Sequence, residues 1–371
     1  MNIDKIINEN RKKITHTHHG GEIYGISNSL LDFSININPK ATPDIYFNVY
    51  KDSIYQIPVY PDSYSTELKK ELIKYFKNTL SIENLIIGAG SMELISIFCD
   101  MFINNDDDVI ICQPTFSEYV WAVKKNGGNV INVYRKPENN FRIEPEVIKS
   151  SFSHNTKAIF LCNPNNPNGL LDKQEDIVKI IKFASEMDVL IFLDEAFIEF
   201  TGEINSLVSK ITSFDNLFIC RSFTKFFGLT GLRVGFGVSS PEIINYISQG
   251  QILWPVNCIG QIVAQDILNS PKFIKDSLDF LSEEKKYMEH KLNEIPTVKI
   301  FQSHANYFLI NIRDTGIKAK ELKKLLLKEK ILIRDCSNYE GLDEYYIRVC
   351  VKTRDSNLKL IKALKKILIG V

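Results

Sequence analysis

The chain has 371 residues, enough for a large domain plus a smaller one or for two of similar size. Hydrophobic residues make up 44% and charged residues 24%, ordinary proportions for a protein with a sizeable core. Lys and Arg balance Asp and Glu, so the net charge is zero; this removes the electrostatic case for nucleic acid or an anionic membrane as the main partner.

The opening MNIDKIINENRKK is polar and lacks the apolar stretch of a secretory signal, and no run reaches the length of a membrane span. The seven cysteines are scattered, odd in number and without a CxxC pair. Most sit in apolar strand-like runs, where they read as small buried hydrophobes in a reducing compartment. A cytoplasmic protein is expected.

From about residue 85 to 238, short apolar runs alternate with longer amphipathic stretches. The runs are DVIIC (108–112), NVINVY (129–134), KAIFLC (157–162), VLIFLD (189–194), LFIC (217–220) and RVGFGV (233–238). Between them, QEDIVKIIKFASEM (174–187) places Ile177, Ile180, Ile181 and Ala184 at helical spacing. Continuous apolar strands separated by helices predict an α/β fold around a mostly parallel sheet buried on both faces. The tail differs. A long charged helix is expected over 275–295, then the strand ANYFLINI, the helix KAKELKKLLLKEK, the strands ILIRDC and YYIRVCV, and a C-terminal helix. This α+β pattern predicts a small C-terminal domain over 269–371, after a large domain over 46–268. Residues 1–45 are expected to form an N-terminal arm that contributes to the small domain.

Ligands of open α/β sheets sit beyond the carboxyl ends of the strands, so the residues there carry the chemistry. After NLII comes GAGSMELISIF, where Gly88 and Gly90 precede a helix opening at Ser91, an arrangement suited to an anion. After DVIIC comes QPTFSEY with the aromatic Phe116; after KAIFLC comes the Asn-rich turn NPNNPNG (163–169); VLIFLD ends in Asp194. After LFIC comes RSFTKFFGLTGLRVG (221–235), with Ser222, Thr224, Lys225 and Arg233 in an otherwise apolar, Gly-punctuated stretch. A lysine between two buried strands is costly unless paired or given a chemical task. Taken singly, each residue has an ordinary explanation: Asp194 a helix cap, Phe116 core, Arg233 a surface ion pair. Their joint arrangement is harder to explain that way.

NPNNPNG, DEAF and SFTKxxGLxGLRxG, in this order, resemble the fold-type I pyridoxal-phosphate enzymes of the aspartate aminotransferase superfamily, over nearly the whole chain. The resemblance implies a large domain with a mostly parallel seven-stranded sheet flanked by helices. It also implies pyridoxal 5'-phosphate as cofactor, carried by Lys225 through a Schiff base. Ser222, Thr224, Arg233 and the amides around Gly90, Ser91 and Met92 would hold the cofactor phosphate. Asp194 would pair with the ring nitrogen, Asn166 with the ring 3′-oxygen, and Phe116 would stack on the ring. Tyr60 would reach the phosphate of the neighbouring subunit's cofactor in a homodimer. The electrostatics are consistent with such a site, because burial beside a cation lowers a lysine's pKa and favours its reactive neutral form.

Within this superfamily the chain is similar to histidinol-phosphate aminotransferases and, more specifically, to L-threonine-O-3-phosphate decarboxylases of cobalamin biosynthesis. The second resemblance rests on HHGGEIYG…LLDFSININP (18–39), WPVN (254–257), ILIRDCSNYEGL (331–342) and Phe197, where the aminotransferases usually place a tyrosine. It implies a substrate phosphate held by His19 and Arg334, a substrate carboxylate held by Arg348 and Asn166, and further substrate contacts from Gly20 and Asn36. The product would be (R)-1-amino-2-propanol phosphate, or ethanolamine phosphate from O-phospho-L-serine, for the cobamide nucleotide loop. The alternative is a histidinol-phosphate or related aminotransferase. Asn168 stands where most members carry threonine, a departure expected to be tolerated because the position shapes the turn. For His16, His18 and His19 three readings stand: a phosphate-contacting arm, a flexible polar arm and a metal site. No Cys or carboxylate cluster nearby supplies further ligands, so no metal is expected. A cofactor-binding DNA regulator would call for a winged-helix domain ahead of LLDFS, and only a short polar arm is expected there.

Overall fold

The computed structural model describes residues 3, 6–12, 14, 20–21 and 30–370. After a two-residue strand β1 (Leu31–Asp32) come seven strands of one sheet: β2 (Leu85–Gly88), β3 (Asp108–Gln113), β4 (Asn129–Tyr134), β5 (Thr156–Cys162), β6 (Leu190–Asp194), β7 (Leu217–Ser222) and β8 (Gly235–Val238). Their order is β2-β8-β7-β6-β5-β3-β4. Only β8 runs against the rest, pairing antiparallel with both β7 and β2. Each expected apolar run in this region is a strand, and the sheet is the mostly parallel one the pattern predicts.

These strands read as continuous apolar runs because both faces are covered. Side chains alternate across the sheet. Ile159, Leu161, Ile191, Leu193 and Ile219 pack to one side with Ile177, Ile180, Ile181 and Ala184 of the helix Gln174–Glu186. Phe160, Phe192 and Phe218 pack to the other with Leu94, Ile95 and Phe98 of the helix Ser91–Phe102. Phe160 and Phe192 stack there with centroids 4.7 Å apart.

The C-terminal part has its own sheet, from β9 (Lys299–Ile300), β10 (Tyr307–Asn311), β12 (Arg334–Asp335) and β13 (Tyr346–Cys350), in the order β12-β13-β10-β9. A third apolar cluster joins it to the helices Pro271–Asn293 and Arg354–Ile369. The expected single strand ILIRDC is two strands. β11 (Ile331–Leu332) pairs in parallel with β1, while β12 pairs with β13. The chain changes partner at Ile333, which is buried between them. That exchange ties the segment after residue 30 to the C-terminal part. The helices Pro43–Ser53 and Thr66–Tyr75 were not anticipated from the sequence.

Six cysteines are buried and Cys258 is half-buried. Among the described residues no helix is long and apolar enough to cross a membrane, and no group of His, Cys, Asp and Glu is assembled to hold a metal ion.

Candidate active site

At the carboxyl ends of β3, β5, β6 and β7 lies a cavity of about 390 Å³. β7 and β8 are neighbours and β8 runs antiparallel from this same edge, so the one loop between them carries both Lys225 and Arg233 to the cavity. Of the residues expected to bind the cofactor, Ser91, Met92, Phe116, Asn166, Asp194, Phe197, Ser222, Thr224, Lys225 and Arg233 all line it. So do Gly20, Asn36, Arg334 and Arg348 of the expected substrate set. His19, like His16 and His18, lies outside the described residues. Tyr60 is away from the cavity of its own chain, 77% exposed and set against Trp254 with ring centroids 4.6 Å apart.

The helix Ser91–Phe102 opens onto the cavity with no side-chain cap, so its first amides are free for an anion. Two glycines permit the close approach. A Cβ on Gly90, whose φ is +81°, would lie 2.6 Å from Nη2 of Arg233. A Cβ on Gly235 would lie 2.8 Å from the Ser91 amide nitrogen. Opposite that helix end, Ser222 Oγ accepts the Thr224 amide at 3.2 Å, which folds the loop back before Lys225.

Lys225 is pulled down to about 8, first by burial and then by the guanidinium groups of Arg348 and Arg233, against the opposing pull of Asp194. Its Nζ lies 6.0 Å from the centre of the Phe197 ring. Asp194, at the end of β6, is buried, and burial pushes its carboxyl up. Two donors oppose this: the Tyr119 hydroxyl reaches Oδ2 at 2.5 Å and the Ala196 amide reaches Oδ1 at 2.8 Å.

Arg334 and Arg348 are register partners across β12 and β13, and both are buried. Arg348 donates to the Ser34 carbonyl at 2.9 Å and, through Nη1, to Asn166 Oδ1. The Tyr339 hydroxyl donates to the same Oδ1 at 3.2 Å, and the Arg334 guanidinium sits over the Tyr339 ring at 5.3 Å. With its oxygen so engaged, Asn166 has its Nδ2 left to donate.

The Asn-rich turn is held by its own side chains and by the Pro114–Thr115 segment, with Asn168 Nδ2 left without a partner among the described residues. Asn165 donates to the Pro114 carbonyl at 3.0 Å and to Asn168 Oδ1 at 3.1 Å, and Asn168 Oδ1 also accepts the Leu170 amide at 3.2 Å. Asn168 therefore shapes the turn, as expected of that position. Tyr119 and Tyr339 were missed as site residues, although both lie in stretches singled out in the sequence, QPTFSEY and RDCSNYEGL. The available signal was a polar aromatic three residues from Phe116 and another five from Arg334.

A family model described as aminotransferase class I and II matches residues 29–364. The chain belongs to that family. It is 35% identical to the histidinol-phosphate aminotransferase of Methanosphaera stadtmanae, over 93% of each chain. It is 33% identical to a putative threonine-phosphate decarboxylase of Caldanaerobacter subterraneus subsp. tengcongensis, over 94% of this chain and 93% of that one. Among solved structures it superposes on the histidinol-phosphate aminotransferase from Clostridium acetobutylicum with a TM-score of 0.85 and 34% identity, covering 92% of this chain and 100% of the other. The fold is the aspartate-aminotransferase-like fold type I, and class I and II aminotransferases use pyridoxal phosphate.

The residues present suit that cofactor. Among the described residues, the buried Arg348 Nε and Asn36 Oδ1 have no hydrogen-bond partner, and both residues line the cavity. Lys225, Arg233, Arg334 and Arg348 face it with Asp194 as the counter-charge. Two buried arginines, Arg334 and Arg348, with the half-buried Lys225, the exposed Arg233 and free helix amides make a site for phosphate and carboxylate groups.

Proposed function

We propose that the protein decarboxylates L-threonine O-3-phosphate, releasing CO₂ and (R)-1-amino-2-propanol phosphate. O-phospho-L-serine would give ethanolamine phosphate; one methyl contact discriminates by only about 1–3 kcal/mol. The observation that carries this reading is Phe197, buried in the cavity wall with its ring edge-on to Tyr307 at 5.0 Å. It offers no hydroxyl where aminotransferases of this fold usually supply one, which leaves Asn166 Nδ2 as the donor on that side.

When bound, pyridoxal phosphate supplies an electron-accepting ring conjugated to the substrate amine. The chain's own residues do the rest. The amides at Ser91 and Met92, with Ser222, Thr224 and Arg233, hold the cofactor phosphate; Phe116 and Asp194 fix the ring's face and its nitrogen. Arg348 orients the α-carboxylate so that its bond to Cα is the one that breaks. Arg334, in the cavity wall, holds the substrate phosphate. Lys225, held near 8 by burial and its cationic neighbours, exchanges protons near neutral pH and returns one to Cα. Net, the substrate loses CO₂ and gains that proton.

The exposed apolar side chains Ile57, Val59, Tyr60, Ile252, Leu253 and Trp254 support a homodimer in which Tyr60 reaches the other subunit's cofactor phosphate. A second reading, histidinol-phosphate aminotransferase, is favoured by the relatives of that name. The test is CO₂ release by the cofactor-loaded enzyme on O-phospho-L-threonine and O-phospho-L-serine, with histidinol phosphate plus 2-oxoglutarate alongside. CO₂ without glutamate supports the decarboxylase; glutamate without CO₂ replaces it with the aminotransferase.

A further inference from the structure

We infer that Tyr119 is a positioning residue that acts on the cofactor through Asp194, holding that carboxylate ionised and aimed at the ring nitrogen. The inference rests on the reading of Asp194 as partner of that nitrogen.

Asp194 stands in surroundings that disfavour its charge. In the sheet it is flanked by Cys162 of β5 and Cys220 of β7, its register partners, and all three side chains are buried. Lys225 is the cation that acts on it. Burial of this kind raises a carboxyl and favours the neutral form unless hydrogen bonds to the anion oppose it. Two such bonds are present, and they divide the work. The Ala196 amide, two residues on, takes Oδ1 and comes with the local turn of the backbone. The Tyr119 hydroxyl takes Oδ2 from a separate element, the helix Glu118–Lys125, across 75 residues of sequence. At 2.5 Å it has the length of an O–H···O⁻ hydrogen bond, roughly twice as strong as a neutral one.

Tyr119 is fixed in this role. Its side chain is fully buried and packs on Phe160 at 5.3 Å, while Phe116 meets it edge-on at 5.6 Å. Phe116 and Asp194 both line the cavity. The ring platform and the carboxylate are thus joined through one tyrosine, and a shift of either would disturb the other. A core aromatic alone would serve the packing; the hydroxyl is the part that packing does not explain, because a buried hydroxyl needs a partner and this one has the carboxylate.

The experiment is a double-mutant cycle on cofactor binding with Tyr119→Phe, Asp194→Asn and the double variant, read by equilibrium dialysis of pyridoxal phosphate. Tyr119→Phe should weaken cofactor binding about 10- to 100-fold, the range for a hydrogen bond to a charged group. In the Asp194→Asn background the same change should weaken it less than threefold. The visible band of the bound cofactor supplies a readout that packing alone would not move. In Tyr119→Phe its pH midpoint should rise, because a less ionised Asp194 leaves the ring less electron-poor. Equal losses in both backgrounds, or an unmoved midpoint in Tyr119→Phe, would overturn the role of Tyr119. Unchanged cofactor affinity in Asp194→Asn alone would instead refute the reading of Asp194.

Discussion

β6 and β7 end in two charge assemblies that leave on opposite faces. Asp194 and Ser222 turn into the cavity, whereas Glu195 and Arg221, their immediate neighbours, turn away from it, as alternation along a strand requires. On that far side each guanidinium donor of Arg221 finds an acceptor. Glu199 is reached at 2.8 Å and 3.2 Å, Glu203 at 2.6 Å and 3.0 Å, and Ser206 at 3.4 Å. The guanidinium also lies over the rings of Phe76 and Phe236. Carboxylates outnumber the cation there, whereas in the cavity cations outnumber the carboxylate. On the far side the cation's donors are saturated, although Glu199 Oε2 has no hydrogen-bond partner among the described residues, and the cluster backs the strand that leads to Lys225. The unsaturated one, with Arg348 Nε unpartnered among the described residues, is poised for anions from outside.

The contrast breaks most sharply at Lys225. Lys225→Ala should lower turnover by about 10²–10⁴-fold, the contribution of a positioned proton-transfer group. Borohydride reduction of the loaded variant should no longer fix the cofactor to the chain, as read by mass spectrometry; retained attachment would remove Lys225 from its role. On the saturated side the loss should be in stability. Arg221→Met leaves Glu195, Glu199 and Glu203 without their cation and should cost about 3–5 kcal/mol of unfolding free energy, measured in urea. A loss below about 1 kcal/mol would mean that the cluster takes up protons and is not held by that charge.

Much of the cavity was legible because its residues follow strands whose apolar runs are unambiguous. Asp194 ends such a run, Asn166 and Lys225 follow one within five residues, and the run predicts which edge of the sheet they share. The arginine cluster was not legible. Glu199 and Glu203 sit in short 3-10 turns with no periodicity, and nothing local says that Arg221, inside an apolar strand, faces away from Ser222 toward them. Tyr119 and Tyr339 were hidden for a related reason. Each acts across a long sequence separation, on Asp194 and on Asn166, so only the folded chain shows what its hydroxyl touches. The split of ILIRDC into two strands likewise depends on β1, some three hundred residues earlier.

A smaller effect should appear in the pH dependence of stability. Glu195 is pushed up to about 7 by burial, against Arg221, Ser206 and the Leu207 amide, from an ordinary value of 4.5. Between those two values the folded protein keeps a proton that the unfolded chain has released. Stability should therefore be highest near the lower value, fall as pH rises toward 7, and level off above it, by roughly 3 kcal/mol for this group. Glu195→Gln, which cannot release that proton, should flatten this limb in urea titrations taken across the range. A wild-type limb that rises over the same interval would assign the pH dependence to other groups.

The smallest change bears on which reaction the cavity runs. Phe197→Tyr adds one oxygen to a residue that already lines the cavity, so the sheet and the apolar packing on Tyr307 are kept. Under the proposed reading the new hydroxyl would give the ring 3′-oxygen a second donor beside Asn166, which should lower the pH midpoint of the bound cofactor's visible band and change how electrons are drawn from the substrate. The ratio of CO₂ release to amino transfer should then drop by up to about tenfold, a difference of about 1.4 kcal/mol between two barriers. An effect of that size is consistent with a residue that biases a shared cofactor site without building it. If the midpoint moves and the ratio does not, Phe197 tunes the cofactor alone, and the choice of bond rests with the residues proposed to orient the carboxylate and the phosphate, Arg348 and Arg334.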